Sequence, residues 1–214
     1  LFLSVLVTHF SGYSQATFVQ GSNATQLATQ LTSPGFTITN PVITNGGNRQ
    51  RGTFANGITG AGLTMDTGIL LTTGRVNRSI NNQSTTQGDD AEQGGVTYDD
   101  PDLVAINAKS NFDTVIYEFD FTIAGTEPKV FALDYQFASE EYPDYVCAQV
   151  NDIFGFFVSG GDLTGTTNIA SVGGDNVAVN NINEGRVGVS GSVSTDPCVL
   201  SNSTSFNINY VLDN

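Results

Sequence analysis

The sequence predicts an all-β fold, a β-sandwich of jelly-roll type with at most one or two short helices. Three observations carry that expectation. The uncharged polar residues are chiefly Gly, Asn, Thr and Ser, which favour turns and strands over long helices, and Gly alone supplies 24 of the 214 residues. Apolar runs are short, rich in β-branched and aromatic residues, and recur about every ten residues with turn signals between them. Long helical periods are nearly absent.

Taken in order, residues 23–31 are the best helix candidate, with Leu27 and Leu31 one turn apart behind a cap at Asn23 or Thr25. Residues 35–42 (GFTITNPV) alternate and then meet a Pro. Residues 57–62 (GITGAG) lack the Lys-Ser/Thr of a phosphate loop and read as turns. Residues 68–72 (GILLT) form a short buried run. Residues 80–102 are polar and read as a surface excursion. Residues 114–121 (TVIYEFDF) and 129–137 (KVFALDYQF) have the composition of central strands. Residues 152–158, 168–172, 177–179, 187–193 and 205–212 complete the set.

The charge balance is 7 Lys+Arg against 21 Asp+Glu, a net charge of −14. Nucleic acid and anionic membrane surfaces are poor partners for such a chain, since both require clustered Lys and Arg. Divalent cations are compatible with it, and so is a plain solubilising role. Cys147 and Cys198 are the two cysteines, too few for a four-ligand zinc site and not a Cys-x-x-Cys pair. In an exported protein they read as one disulfide, which the chain-entropy model values at about 4 kcal/mol. The alternative is two separate buried thiols.

Residues 1–10 (LFLSVLVTHF) are apolar but short of the span of a bilayer. They resemble the core of a signal peptide, and Gly12 and Ser14 supply small residues for a cut before Gln15. That reading makes residues 1–14 a partial signal peptide and residues 15–214 a single β-sandwich domain, truncated at its C-terminal end. If it is retained, the same run would suit a strand donated to a neighbouring subunit.

The densest polar cluster is residues 138–145 (ASEEYPDY), followed by Asn151 and Asp152. Glu140, Glu141, Asp144, Asn151 and Asp152 are candidate calcium ligands, because calcium takes six to eight hard oxygens. Turn capping and bonds to backbone N–H groups would explain the same residues without a metal. A carboxylate pair could in principle serve a secreted hydrolase, but there is no Trp for a sugar platform. A Ser-His-Asp or Cys-His set fails on inventory, since His9 is the sole His. No catalytic residue is assigned, and the chain reads as a non-enzyme.

Residues 133–160, holding ASEEYPDY and NDIF, resemble the choice-of-anchor L domain family of bacterial extracellular proteins. Weaker likeness flanks that run at residues 52–74, 112–121 and 168–183. The resemblance implies export and display by cell-surface-anchored proteins of Bacteroidota-like bacteria. It implies no defined activity. The family domain normally continues past residues 205–212 into further strands, which this sequence does not include. The expected role is adhesion through an extracellular glycan or protein ligand, with calcium as a stabilising ion. The rivals are a filament subunit assembled as a homopolymer by strand donation and a secreted hydrolase. No nucleic-acid binding and no membrane insertion of the mature domain are expected.

Overall fold

The structure, a computed structural model, describes residues 15–76, 98–108, 110–126 and 130–203. It is built mostly of short antiparallel strands. The opening unit pairs β1 (Thr17–Gln20) with β3 (Arg51–Ala55) and β3 with β4 (Gly68–Leu71). Gly52 permits this close pairing: a side chain there would lie 2.4 Å from the Val19 carbonyl oxygen. Helix α1 (Ala24–Leu31) begins where Asn23 and Gln26 exchange bonds, each side-chain oxygen accepting the other's backbone N–H at 2.8–2.9 Å. This is a capping box, and Leu27 lies fully buried on its inner face.

The longest ladder joins β2 (Phe36–Asn45) to β5 (Ile116–Ile123). A proline inside β2 is tolerated because the register slips between Thr39 and Val42, so Pro41 owes no ladder bond. Asn40 takes the left-handed conformation at φ 50°, and its amide reaches the Asp120 carboxylate at 2.8 Å. Tyr117, Phe119 and Phe121 alternate inward along β5, with Phe121 5.3 Å from Phe36.

Among the described residues the second half holds five short strands in two small sheets. β6 (Ile153–Phe154) and β9 (Ser171–Val172) flank β10 (Asp175–Ala178), while β7 (Phe157–Ser159) pairs with β8 (Thr166–Asn168). The strand expected over residues 152–158 is therefore two strands. The break has a cause: the Phe156 N–H is taken by the Asn168 side chain at 3.1 Å, which turns the chain from β10 towards β8.

The all-β class holds, with three short α-helices among the described residues where one or two were expected. Helix α2 (Gly57–Ala61) replaces the turn expected at residues 57–62. Helix α3 (Pro101–Ile106) closes the polar excursion, whose residues 80–97 lie outside those described. It starts because Asp100 accepts from the N–H groups of Asp102 and Leu103 and Pro101 occupies the first helical turn. Sandwich stacking is an expectation of the sequence; the described strands form four small sheets.

Two expected strands differ. Residues 130–137 are extended, yet among the described residues they join no sheet. Residues 187–193 form only a bridge between Val193 and Ala148, because the chain bonds irregularly to the turn beside it and leaves Val187, Val189 and Val193 exposed. Residues 205–212 and 1–14 lie outside the described residues. No described helix is long and apolar enough to cross a membrane.

Candidate functional site

The site grows from a core of Val146, Cys147 and Val179, against which Phe137, Tyr142 and Cys198 pack. Residues 139–148 lie over this core as successive turns, with the Tyr145 N–H bonded to the Glu141 carbonyl and the Ala148 N–H to the Tyr145 carbonyl, each at 2.9 Å. One side of the turn is sewn to residues 188–194: Ser190 N–H to Asp144 carbonyl at 2.8 Å, Gly188 N–H to Val146 carbonyl at 2.9 Å, and Ser194 N–H to Cys147 carbonyl at 2.9 Å. Gly188 is required there, since a Cβ would sit 2.1 Å from the Asp144 carbonyl oxygen. Cys147 is disulfide-bonded to Cys198, with Cα atoms 5.4 Å apart and a sequence separation of 51.

The other side of the turn is tied by asparagines. Asn180, buried, accepts the Cys147 N–H at 2.7 Å on its side-chain oxygen. Its own N–H goes to the Asn151 side chain at 3.0 Å, and its carbonyl accepts from Val199 at 2.9 Å. Asn183, also buried, donates to the carbonyls of Val179 and Val199. Tyr142 donates its hydroxyl to the Ile182 carbonyl. Burial, followed by the charges of Asp152 and Glu141, pushes that phenol well above its ordinary range.

Within this frame Ser139, Glu141 and Asp152 meet. Ser139 donates its hydroxyl to the Asp152 carboxylate at 2.6 Å and accepts the Glu141 N–H at 3.0 Å. The Asp152 N–H donates to the Glu141 carboxylate at 3.2 Å. Burial raises the Glu141 carboxyl from 4.5 to about 7, the Asp152 charge adds to the rise, and the Asp152 N–H opposes it. Burial raises Asp152 as well, against the Ser139 hydrogen bond. Among the described residues no cation forms an ion pair with either carboxylate. Two like charges therefore share a poorly hydrated turn, and a proton or a cation would neutralise them.

Of the five residues read from the sequence as a calcium set, the structure joins Glu141 and Asp152. Asn151 spends its side-chain oxygen on the Asn180 N–H, Glu140 is exposed, and Asp144 is fixed through its carbonyl to Ser190. Among the described residues no three His, Cys, Asp or Glu side chains gather in metal-holding geometry. Ser139 and Asn180 were not singled out from sequence. Ser139 carries a signal, as a small hydroxyl two positions before Glu141; Asn180 carries none beyond an Asn-rich strand exit.

The choice-of-anchor L domain profile matches residues 15–213, nearly the whole chain. The chain belongs to the choice-of-anchor L domain family. No curated protein and no solved structure matches it. As a choice-of-anchor L domain it is a cell-surface or extracellular module, and the Cys147–Cys198 bond fits that oxidising setting. The family is not known as enzymatic. The run that first suggested it, residues 133–160, is the stretch that folds into the carboxylate turn of this choice-of-anchor L domain.

Proposed function

We propose that this chain is an adhesion or ligand-binding module of the bacterial cell surface whose Glu141–Asp152 turn is stiffened by calcium. The observation that carries the reading is the half-buried carboxylate pair without a compensating cation among the described residues. Glu141 and Asp152 would hold the ion through hard oxygens, and calcium would supply the positive charge that the turn lacks. Ser139 and the Asp152 N–H orient the two carboxylates. The disulfide and the asparagine ties keep the turn in one shape, as a rigid binding surface requires.

Thermal unfolding of the full chain in calcium and in chelator tests this. An ion that binds only the folded state at about a hundredfold excess over its dissociation constant adds ~2.7 kcal/mol. For a chain of this size that raises Tm by about 5–10 °C. The rise should vanish in Glu141→Gln and in Asp152→Asn. Equal melting in calcium and chelator would remove the metal from the account.

A further inference from the structure

Residues 130–138 behave as a strand that has no partner among the described residues. Phe131, Leu133, Tyr135 and Phe137 are half-buried, while Val130, Ala132, Asp134 and Gln136 are exposed, the two-residue period of an extended chain. The inward rings are anchored: Phe131 lies 5.0 Å from Phe121 and 5.8 Å from Phe156, and Tyr135 lies 5.1 Å from Phe154. Among the described residues, no backbone N–H or C=O of this stretch enters a ladder or a turn bond. The hydrogen bonds that do reach it end on the Gln136 side chain, donated by Thr64.

Two clefts, of about 460 and 340 Å³, open along the same stretch and share Leu133 as a wall. Met65 and Tyr135 line one; Phe36, Phe119 and Phe131 line the other. Among the described residues Asp134 is the sole charged one on either, and Val130 stands 90 % exposed at the rim.

We propose that residues 130–138 are a receiving edge for an extended basic polypeptide, which adds as a strand and sets alternate apolar side chains into the two clefts. The inference rests on the binding-module reading and names its partner class. Unpaired donors and acceptors along an extended backbone are matched by another extended backbone. The Asp134 rim and a net charge of −14 favour a cationic segment. A second copy of this chain carries the same −14 and is repelled.

Hydrogen exchange of the full chain, read amide by amide over residues 131–137, tests the proposal with a synthetic decapeptide of alternating lysine and valine. The free chain should exchange rapidly there, and saturating peptide should slow those amides at least tenfold. The same peptide N-methylated at alternate residues should give no protection, and Asp134→Lys, an exposed change, should weaken the peptide several-fold. Slow exchange in the free chain would overturn the proposal, because the edge would already be paired, by residues 204–214 or by any other part of the chain. Protection that grows with protein concentration alone would overturn it in favour of self-association. So would equal protection by the N-methylated peptide, or none by either. This readout is independent of the calcium-dependent melting, so either can fail without the other.

Discussion

Replacing Glu141 with Gln isolates the electrostatics of the turn, because the amide keeps the size of the carboxyl and an oxygen able to accept the Asp152 N–H. Glu141 is held at about 7 against an ordinary 4.5, by burial first and by the Asp152 charge second. The folded chain thus binds this proton more tightly than the unfolded chain does. Stability from the group is complete below 4.5 and is lost as pH rises through about 7. At ~1.4 kcal/mol per tenfold in proton affinity the full effect is about 3 kcal/mol, and the water that reaches a half-buried group lowers it to about 2 kcal/mol. Urea unfolding of the full chain in chelator, at about pH 5 and about pH 8, measures it. The wild type should lose about 2 kcal/mol more than Glu141→Gln between those conditions, and the variant should be the more stable of the two at the higher pH. The subtraction matters, since a net charge of −14 gives both proteins a common pH dependence. Identical pH profiles, or a wild type that gains on the variant as pH rises, would refute the reasoning.

Three further perturbations read other parts of the frame. Replacing Cys147 and Cys198 together by Ser should cost about 4 kcal/mol in denaturant unfolding, from the 51-residue separation that the bond closes. Asn180→Ala strips the buried Cys147 N–H of its acceptor and the Ala148 carbonyl of a donor, and should cost about 2–4 kcal/mol, with the Cys147 amide exchanging faster. Gly188→Ala forces a Cβ against the Asp144 carbonyl and should lower stability by about 1–3 kcal/mol, whereas Gly174→Ala, with open space around its Cβ, should show only the strain of its positive φ.

Much of the fold is local, and that part was legible. The helix over residues 23–31 with its cap at Asn23 and the strand composition of β5 are each written in a few neighbouring residues, and two cysteines leave a single pairing to make. Long-range choices were not. Nothing in the run GFFV announces that Phe156 gives its N–H to Asn168 and so divides one strand into two. Residues 129–137 have strand composition, yet composition cannot say whether an edge finds a partner. The cluster ASEEYPDY drew notice for its charge. Its geometry, by contrast, depends on Ser139 reaching Asp152 across 13 positions and on Asn180 reaching Cys147 across 33. Adjacent carboxylates in sequence, Glu140 and Glu141, go to different surroundings, one exposed and one half-buried.

The central claim is that Glu141 and Asp152 form one cation-responsive pair. Calorimetric titration of the full chain with calcium tests it most directly, at about pH 8 and again at about pH 5.5, where protons compete for the raised carboxyls. The account predicts one equivalent of calcium at the higher pH, weaker binding at the lower, and loss in both Glu141→Gln and Asp152→Asn. No heat at the higher pH, or binding that survives either substitution, would contradict it.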